Sequence, residues 1–170
     1  TRLQQRYKDA ILVHRLDCAT SGIMVFARNK KAESSLKTQF QNRQTAKTYI
    51  AEVQGLLSEQ TGVIDLAIAA DKVNPPKQMI TETGKSAITH YQVLQQNDGN
   101  SLVELKPVTG RTHQLRVHML ALGHAILGDD FYGDESVINA AERLRLHAQS
   151  LCFTHPHSVK TMDSNSKHPF

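Results

Sequence analysis

"SLVELKPVTGRTHQLRVHMLALG", residues 101–123, changes its period half-way along, and that change decides the fold class. The first half reads as a strand, the hairpin partner of "KSAITHYQVLQQ" (85–96) across a turn at Asn97–Asn100. From Arg111 onward the pattern becomes helical: Leu115, Val117, Met119 and Leu122 stand among polar residues, and Gly123 supplies a stop. The spacing predicts a helix over 112–122. Working outward, "GIMVFARN" (22–29) reads as a strand ending on Asn29, a helix N-cap. In "KKAESSLKTQFQNR" (30–43), Ala32, Leu36 and Phe40 recur every fourth residue and Glu33 precedes Lys37, which predicts an amphipathic helix with Lys30, Lys37 and Arg43 on its polar face. "KTYIAEVQG" (47–55) alternates Tyr49, Ala51 and Val53 against Thr48, Ile50 and Glu52, so it reads as a strand, as does "GVIDLAIAA" (62–70). "DKVNPPKQM" (71–79) is a loop, a short helix is expected near 139–143, "RLRLHAQSLCF" (143–153) is a strand, and a polar, frayed tail is expected to follow. Strands that mostly follow one another, with helices inserted between some of them, predict an α+β fold on a mixed sheet.

The chain has 170 residues, 39% of them hydrophobic, enough for one compact domain spanning 1–170. A net charge of +4 and a pI near 9.1 tilt mildly toward a polyanionic partner. Cys18 and Cys152 are far apart, which argues against a disulfide framework and fits a reducing cytoplasm. No apolar run approaches the roughly 18 residues that span a bilayer, so no membrane segment is expected. The chain begins without methionine and reads as part of a longer protein.

Nine histidines raise the question of a metal site. His113 and His118, five apart on the predicted helix, diverge by roughly 140°, and no cysteine pair has ligand spacing, so no metal is expected. The "TGR" turn (109–111) lacks the glycine spacing of a nucleotide loop, and no nucleotide cofactor is expected. Asp17, in "HRLDCATSG" (14–22), has two readings. It is a turn residue capping the backbone at Ala19 or Thr20, or it is a functional acid kept anionic by an arginine. Arg111 and Arg116, five apart, can serve separate partners, one a phosphate and the other a buried acid. On pattern alone, Tyr49 is a core strand aromatic and Leu146 a core aliphatic.

"HRLDCATSG", "KTYIAEVQG", "VTGRTHQLRVHMLALGHAILGDDFYG" (108–133) and "RLRLHA" (143–148) occur in an order and spacing that resemble the RluA family of pseudouridine synthases. The resemblance runs from Val13 to His155. It implies the pseudouridine synthase fold, a mixed, mostly antiparallel sheet with flanking helices around a central active-site cleft, and a cofactor-free isomerase acting on structured RNA as a monomer. "PPKQ" (75–78) followed by "ETGKSAITHY" (82–91) resembles the dual-specificity members, which implies uridines of 23S rRNA and of tRNA anticodon stem-loops as substrates, with an rRNA-only relative as the alternative. The resemblance makes Asp17 the catalytic aspartate and Arg116 the arginine that pairs with it. Tyr49 becomes the residue that stacks on the flipped base and a candidate for the final proton removal, and Leu146 packs in the same pocket. Arg15 resembles the arginine pushed into the stem as the uridine leaves, His14 a residue orienting the loop, and Lys47, Arg111 and Lys77 phosphate contacts.

Three departures from the family pattern stand out. Its usual Asn-Lys-Pro strand is not in this chain, Ala125 stands where proline is usual, and the tail "MDSNSKHPF" (162–170) lacks the apolar ending. Two other function classes have stated requirements. An RNA-binding domain without turnover would leave Asp17 exposed and unpaired with Arg116, and a hydrolase would place a second carboxylate within about 10 Å of Asp17.

Overall fold

The computed structural model describes residues 2–170. In chain order its elements are α1 (Arg2–Arg6), β1 (Ile11–Leu12), β2 (Ser21–Gly22), β3 (Phe26–Ala27), α2 (Lys30–Gln41), β4 (Ala46–Gln54), β5 (Thr61–Asp65), β6 (Ile68–Ala70), β7 (Gln78–Ile80), β8 (Ile88–Asn97), β9 (Asn100–Pro107), α3 (Gln114–Ala121), α4 (Glu135–Asn139), β10 (Leu146–Thr154) and β11 (Thr161–Asn165). Seven strands form the main sheet in the order β11-β10-β4-β9-β8-β5, with β2 paired in parallel to the start of β10. The other pairings in this sheet are antiparallel, so the α+β fold expected from the sequence is the one observed.

The β8–β9 hairpin closes at Asn97↔Asn100, where the sequence places its turn. Helix α3 then crosses one face of the sheet. Its Leu115 and Met119 pack with Ala51, Val53, Val103, Leu105, Ile126 and Leu146, all nearly inaccessible. Each such aliphatic side chain withdrawn from water contributes about 1.5–3 kcal/mol, and this layer is the main core. Ile50, on the other face of β4, is buried as well, because β4 is central and the segment beyond β11 returns over that face. There Ser166 donates its backbone N–H to the Gln149 carbonyl, and its own carbonyl is bonded to His147 Nε2. Helix α2 is capped as expected: Asn29 accepts from the Ala32 N–H at 2.9 Å, and Glu33 holds both Lys37 and Lys30. Its buried residues Ala32 and Leu36 pack on Ala27, Ile11 and Phe153.

The structure corrects several expected elements. "GIMVFARN" is not one strand: Gly22 pairs with β10 while Phe26–Ala27 pairs with β1, and residues 23–25 cross between the two sheets. "GVIDLAIAA" divides at Leu66, because β5 pairs with β8 and β6 with β7. The short helix lies at Glu135–Asn139, started by Asp134, whose side chain accepts from the Val137 N–H. The tail is not frayed over Thr161–Asn165, which adds an antiparallel strand to Ser150–Thr154 and covers an edge that β2 leaves open. Helix α1 has no counterpart in the sequence reading.

Candidate active site

Asp17 sits on the loop between β1 and β2, and two features fasten that loop to the sheet. Gly22 lies at φ +120°, and a Cβ there would fall 2.2 Å from the Ala148 carbonyl oxygen. Only glycine lets the backbone approach β10 this closely. Next to it, Ile23 N–H donates to the Ala148 carbonyl at 2.9 Å, and Ser21 Oγ is bonded to His147 Nδ1 at 2.8 Å. Register then carries the position across the sheet in one row: Gly22, Ala148, Tyr49, Leu105, Tyr91 and Gly62 are successive partners. Leu146 faces Ala51 on the same side as Tyr49. The tyrosine and the leucine therefore share the sheet face beside which the Asp17 loop is tied.

Here a cleft of about 500 Å³ opens, lined by His14, Arg15, Asp17, Lys47, Tyr49, Arg111 and Leu146 among others. Seven of the nine site residues singled out from the sequence thus converge from four separate segments. Asp17 is half-buried and is the only acid among the described residues that line the cleft. Its carboxylate makes no hydrogen bond or ion pair with the described residues; the turn at Cys18–Ala19 is closed by its backbone carbonyl, which accepts from the Thr20 N–H at 2.9 Å. The turn-cap reading of the side chain is therefore set aside.

Burial governs the electrostatics around it. Desolvation, with a smaller effect from the Asp17 charge, pushes the Tyr49 phenol up to about 12, so it remains protonated at neutral pH and acts as a hydrogen-bond donor. His14 accepts the Val25 N–H on Nε2 at 3.0 Å and stacks on Phe40 with ring centroids 4.5 Å apart. Burial first, and the Lys47 charge second, lower its pKa to about 4. It is a neutral residue that fixes the loop. Lys47 is itself lowered by burial and forms no ion pair among the described residues, so its ammonium is available to an anion entering the cleft. Arg111 also lines the cleft, with Nε donating to the Ser86 carbonyl at 3.0 Å.

One expectation needs correction. Arg116 does not pair with Asp17. Its Nε donates to Asp129 Oδ2 at 2.8 Å and its Nη2 to Asp129 Oδ1 at 2.6 Å, with Arg116 only 3% and Asp129 1% exposed. Asp130 lies 3.5 Å away, and the rings of Phe131 and Tyr132 flank the guanidinium at 4.9 and 5.2 Å. A buried guanidinium is held best by a bidentate carboxylate, and Asp129, presented by the turn after Gly128, reaches it first. Burial opposes the charge of Arg116, but the hydrogen bond and charge of Asp129, with a smaller effect from Asp17, hold its pKa above the ordinary value. Lys77, expected as a phosphate contact, stands in the loop joining β6 to β7, outside the residues that line the cleft. Sequence reasoning missed Arg43, which lines the cleft from the C-terminal end of α2 at φ +57°, and the cluster of His113, Asp129, Phe131 and Tyr132. Only the "GDD" of 128–130, ahead of two aromatics, hinted at the latter.

A family model for RNA pseudouridylate synthase matches residues 2–121. The chain belongs to the RNA pseudouridylate synthase family. It is 55% identical over 158 residues to the dual-specificity RNA pseudouridine synthase RluA of Yersinia pestis, covering 92% of this chain and 77% of that protein. To the protein of the same name in Escherichia coli it is 52% identical, covering 92% and 72%. Among solved structures, human RNA pseudouridylate synthase domain containing 1 superposes with a TM-score of 0.90 at 34% identity, covering 99% of this chain and 73% of that one. Human RNA pseudouridylate synthase domain containing 4 gives 0.79 at 29%, covering 99% and 76%. Pseudouridylate synthases are isomerases, and the fold expected from the resemblance is shared with these structures. No helix among the described residues is long and apolar enough to cross a membrane.

Proposed function

We propose that this chain converts specific uridines to pseudouridine in stem-loops of both 23S ribosomal and transfer RNA, as a cytoplasmic monomer without metal or organic cofactor. The observation that carries this reading is the single carboxylate, Asp17, placed in a cationic cleft beside a half-buried tyrosine and a buried leucine. The reaction breaks the uracil–ribose bond at nitrogen and remakes it at carbon, with one proton removed from that carbon and one returned to the nitrogen. It needs an anion to meet the reacting sugar or base, and no redox step.

Asp17 supplies that anion, and the charge of Arg116, bound to Asp129, lies within its electrostatic reach. Tyr49 offers its ring face to the flipped base and its protonated hydroxyl as a donor, while Leu146 packs beside it. Arg15, exposed at the cleft edge, is suited to fill the space that the uridine vacates. Lys47, Arg111 and Arg43 meet backbone phosphates. Free cysteines at 18 and 152 suit a reducing compartment.

The test is incubation with an rRNA stem-loop and a tRNA anticodon stem-loop in the presence of a chelator, followed by chemical mapping of pseudouridine. Product in both RNAs is expected, and product in rRNA alone would restrict the enzyme to the ribosome. Asp17→Asn is expected to bind both RNAs and give no product. Turnover by this variant near the unsubstituted rate would refute the assignment.

A further inference from the structure

Asp17 is joined to the sheet through a short link. Its carbonyl accepts the Thr20 N–H at 2.9 Å, Thr20 lines the cleft, and the next residue, Ser21, lies opposite His147 in the two-residue ladder between β2 and β10. The side chains of that ladder form a chain of hydrogen bonds whose direction follows from its far end. There His147 Nε2 lies 3.1 Å from the Ser166 carbonyl oxygen, which can only accept, so Nε2 carries the proton. In the neutral ring Nδ1 is then an acceptor, and Ser21 Oγ, 2.8 Å away, donates to it. Arg143 Nη2 donates in turn to Ser21 Oγ. His147 is only 5% exposed. Burial lowers its pKa, opposed by the Ser166 carbonyl and aided by the charges of His168 and Arg143, so the ring is neutral at pH 7. Ser166 follows β11 and is held by its own N–H, which donates to the Gln149 carbonyl at 2.8 Å; further along, the Phe170 ring lies 5.3 Å from the Arg145 guanidinium.

Resting on the reading of Asp17 as the reacting carboxylate, we propose that His147 and the segment after β11 are positioning elements for it: the Ser166 carbonyl fixes the imidazole proton on Nε2, and the Nδ1 left to accept holds Ser21 and with it the Asp17 loop. The other tautomer would turn an N–H toward the Ser21 hydroxyl, to which Arg143 already donates, and would leave the hydroxyl proton without its acceptor. Losing the Ser166 carbonyl therefore loosens the loop from the opposite end of the network, although no residue of β11 or of the segment after it lines the cleft. A displacement of about 1 Å in a group that must meet its substrate costs up to about a hundredfold in rate.

Nitrogen-15 NMR of the free protein tests the network without turnover: His147 is expected as the neutral Nε2–H tautomer. Ser166→Pro removes the N–H that holds this segment to Gln149, and the extended Asn165 at the end of β11 accepts a following proline. This variant is expected to release the tautomer preference and to lower kcat by about ten- to a hundredfold with KM for RNA little changed, because Lys47 and Arg111 stand on other elements. Ser166→Ala keeps both backbone groups and should keep the tautomer. Ser21→Ala, which leaves Nδ1 without its donor, should lower kcat to a similar extent, and Ser21→Thr, which restores a hydroxyl, should recover part of the loss. Should Ser166→Pro not fold, the spectra and the Ser21 pair decide alone. An Nδ1–H tautomer, an undiminished kcat in Ser21→Ala or in folded Ser166→Pro, or a loss carried by KM alone would each overturn the proposal. If Asp17→Asn is inactive while these variants turn over normally, the reading of Asp17 stands and this one falls. If Asp17→Asn turns over, the reading of Asp17 falls, and the spectra with the Ser21 pair still decide whether the network holds the cleft.

Discussion

Replacing Asp129 with alanine is expected to destabilise the fold by about 3–5 kcal/mol, the cost of orphaning a buried charge. The carboxylate collects four donors: Arg116 Nε and Nη2, and the backbone N–H groups of Phe131 and Tyr132 at 3.0 and 3.1 Å. Alanine leaves a guanidinium that is 3% exposed with only Asp130, 3.5 Å away and in solvent, to oppose its charge. It also leaves two backbone donors without an acceptor, each worth about 1–3 kcal/mol if it stays dry. Water entering the vacated volume and a turn of Arg116 toward Asp130 or Asp17 recover part of this sum, which brings the total back to the stated range. Arg116→Met is expected to cost less, since Asp129 keeps its two backbone donors. The double variant removes both charges and should fall short of the sum of the singles by about 1–3 kcal/mol, a coupling typical of contacting residues. Urea denaturation followed by circular dichroism gives all three values by linear extrapolation. A loss below about 1 kcal/mol for Asp129→Ala, or additivity within about 0.5 kcal/mol, would refute the pairing described for Arg116.

Three other outcomes are expected. Gly22→Ala forces a Cβ to within 2.2 Å of the Ala148 oxygen at a φ that L residues rarely adopt, and should cost about 2–5 kcal/mol from overpacking and backbone strain, together with most turnover; unchanged urea midpoint and kcat would show that the loop is not anchored there. His14, held near 4 when folded against 6.5 unfolded, contributes stability that is complete above pH 6.5 and is lost as the pH falls toward 4. The ceiling is about 3 kcal/mol, reduced to about 1–2 by partial solvent screening, so the stability gap between the unsubstituted protein and His14→Gln should widen from pH 4 to 7; parallel curves would contradict it. Lys47→Ala should reduce the salt dependence of RNA binding by about one phosphate contact while Lys77→Ala changes kcat little, and equal loss of turnover from both would place Lys77 in the cleft after all.

The sheet was legible where the chain repeats a simple period. The β8–β9 hairpin, β4, α2 and α3 follow from alternation, helical spacing and caps that act within a few residues. The errors fall where one segment serves two partners. Residues 22–27 look like one apolar strand, yet their backbone leaves β10 for β1, a choice made by strands distant in sequence. The strand pairing that turns Thr161–Asn165 into β11 is of the same kind: all its residues but Met162 are polar, and the open edge of β10 gives them a ladder.

The site divides along the same line. Motif resemblance singled out Asp17, Tyr49, Arg15, Lys47, Arg111 and Leu146, which line one cleft, and register explains why they meet, since Gly22, Ala148 and Tyr49 occupy one row across the sheet. Arg116 does not take the partner that the resemblance implies, because pairing depends on which carboxylate reaches a buried guanidinium. Asp129, thirteen residues downstream, reaches it through the turn that begins at Gly128. That outcome has a chemical consequence. A reactive aspartate bound to an arginine in the free enzyme would have to break an ion pair before meeting its substrate, whereas on the proposed reading Asp17 meets it with its oxygens uncommitted, because Arg116 is bound to Asp129. The Asp129 hydrogen bonds hold Arg116 in place before RNA arrives. Preorganised charge of this kind needs no rearrangement during reaction, which is the condition under which electrostatic stabilisation is most effective.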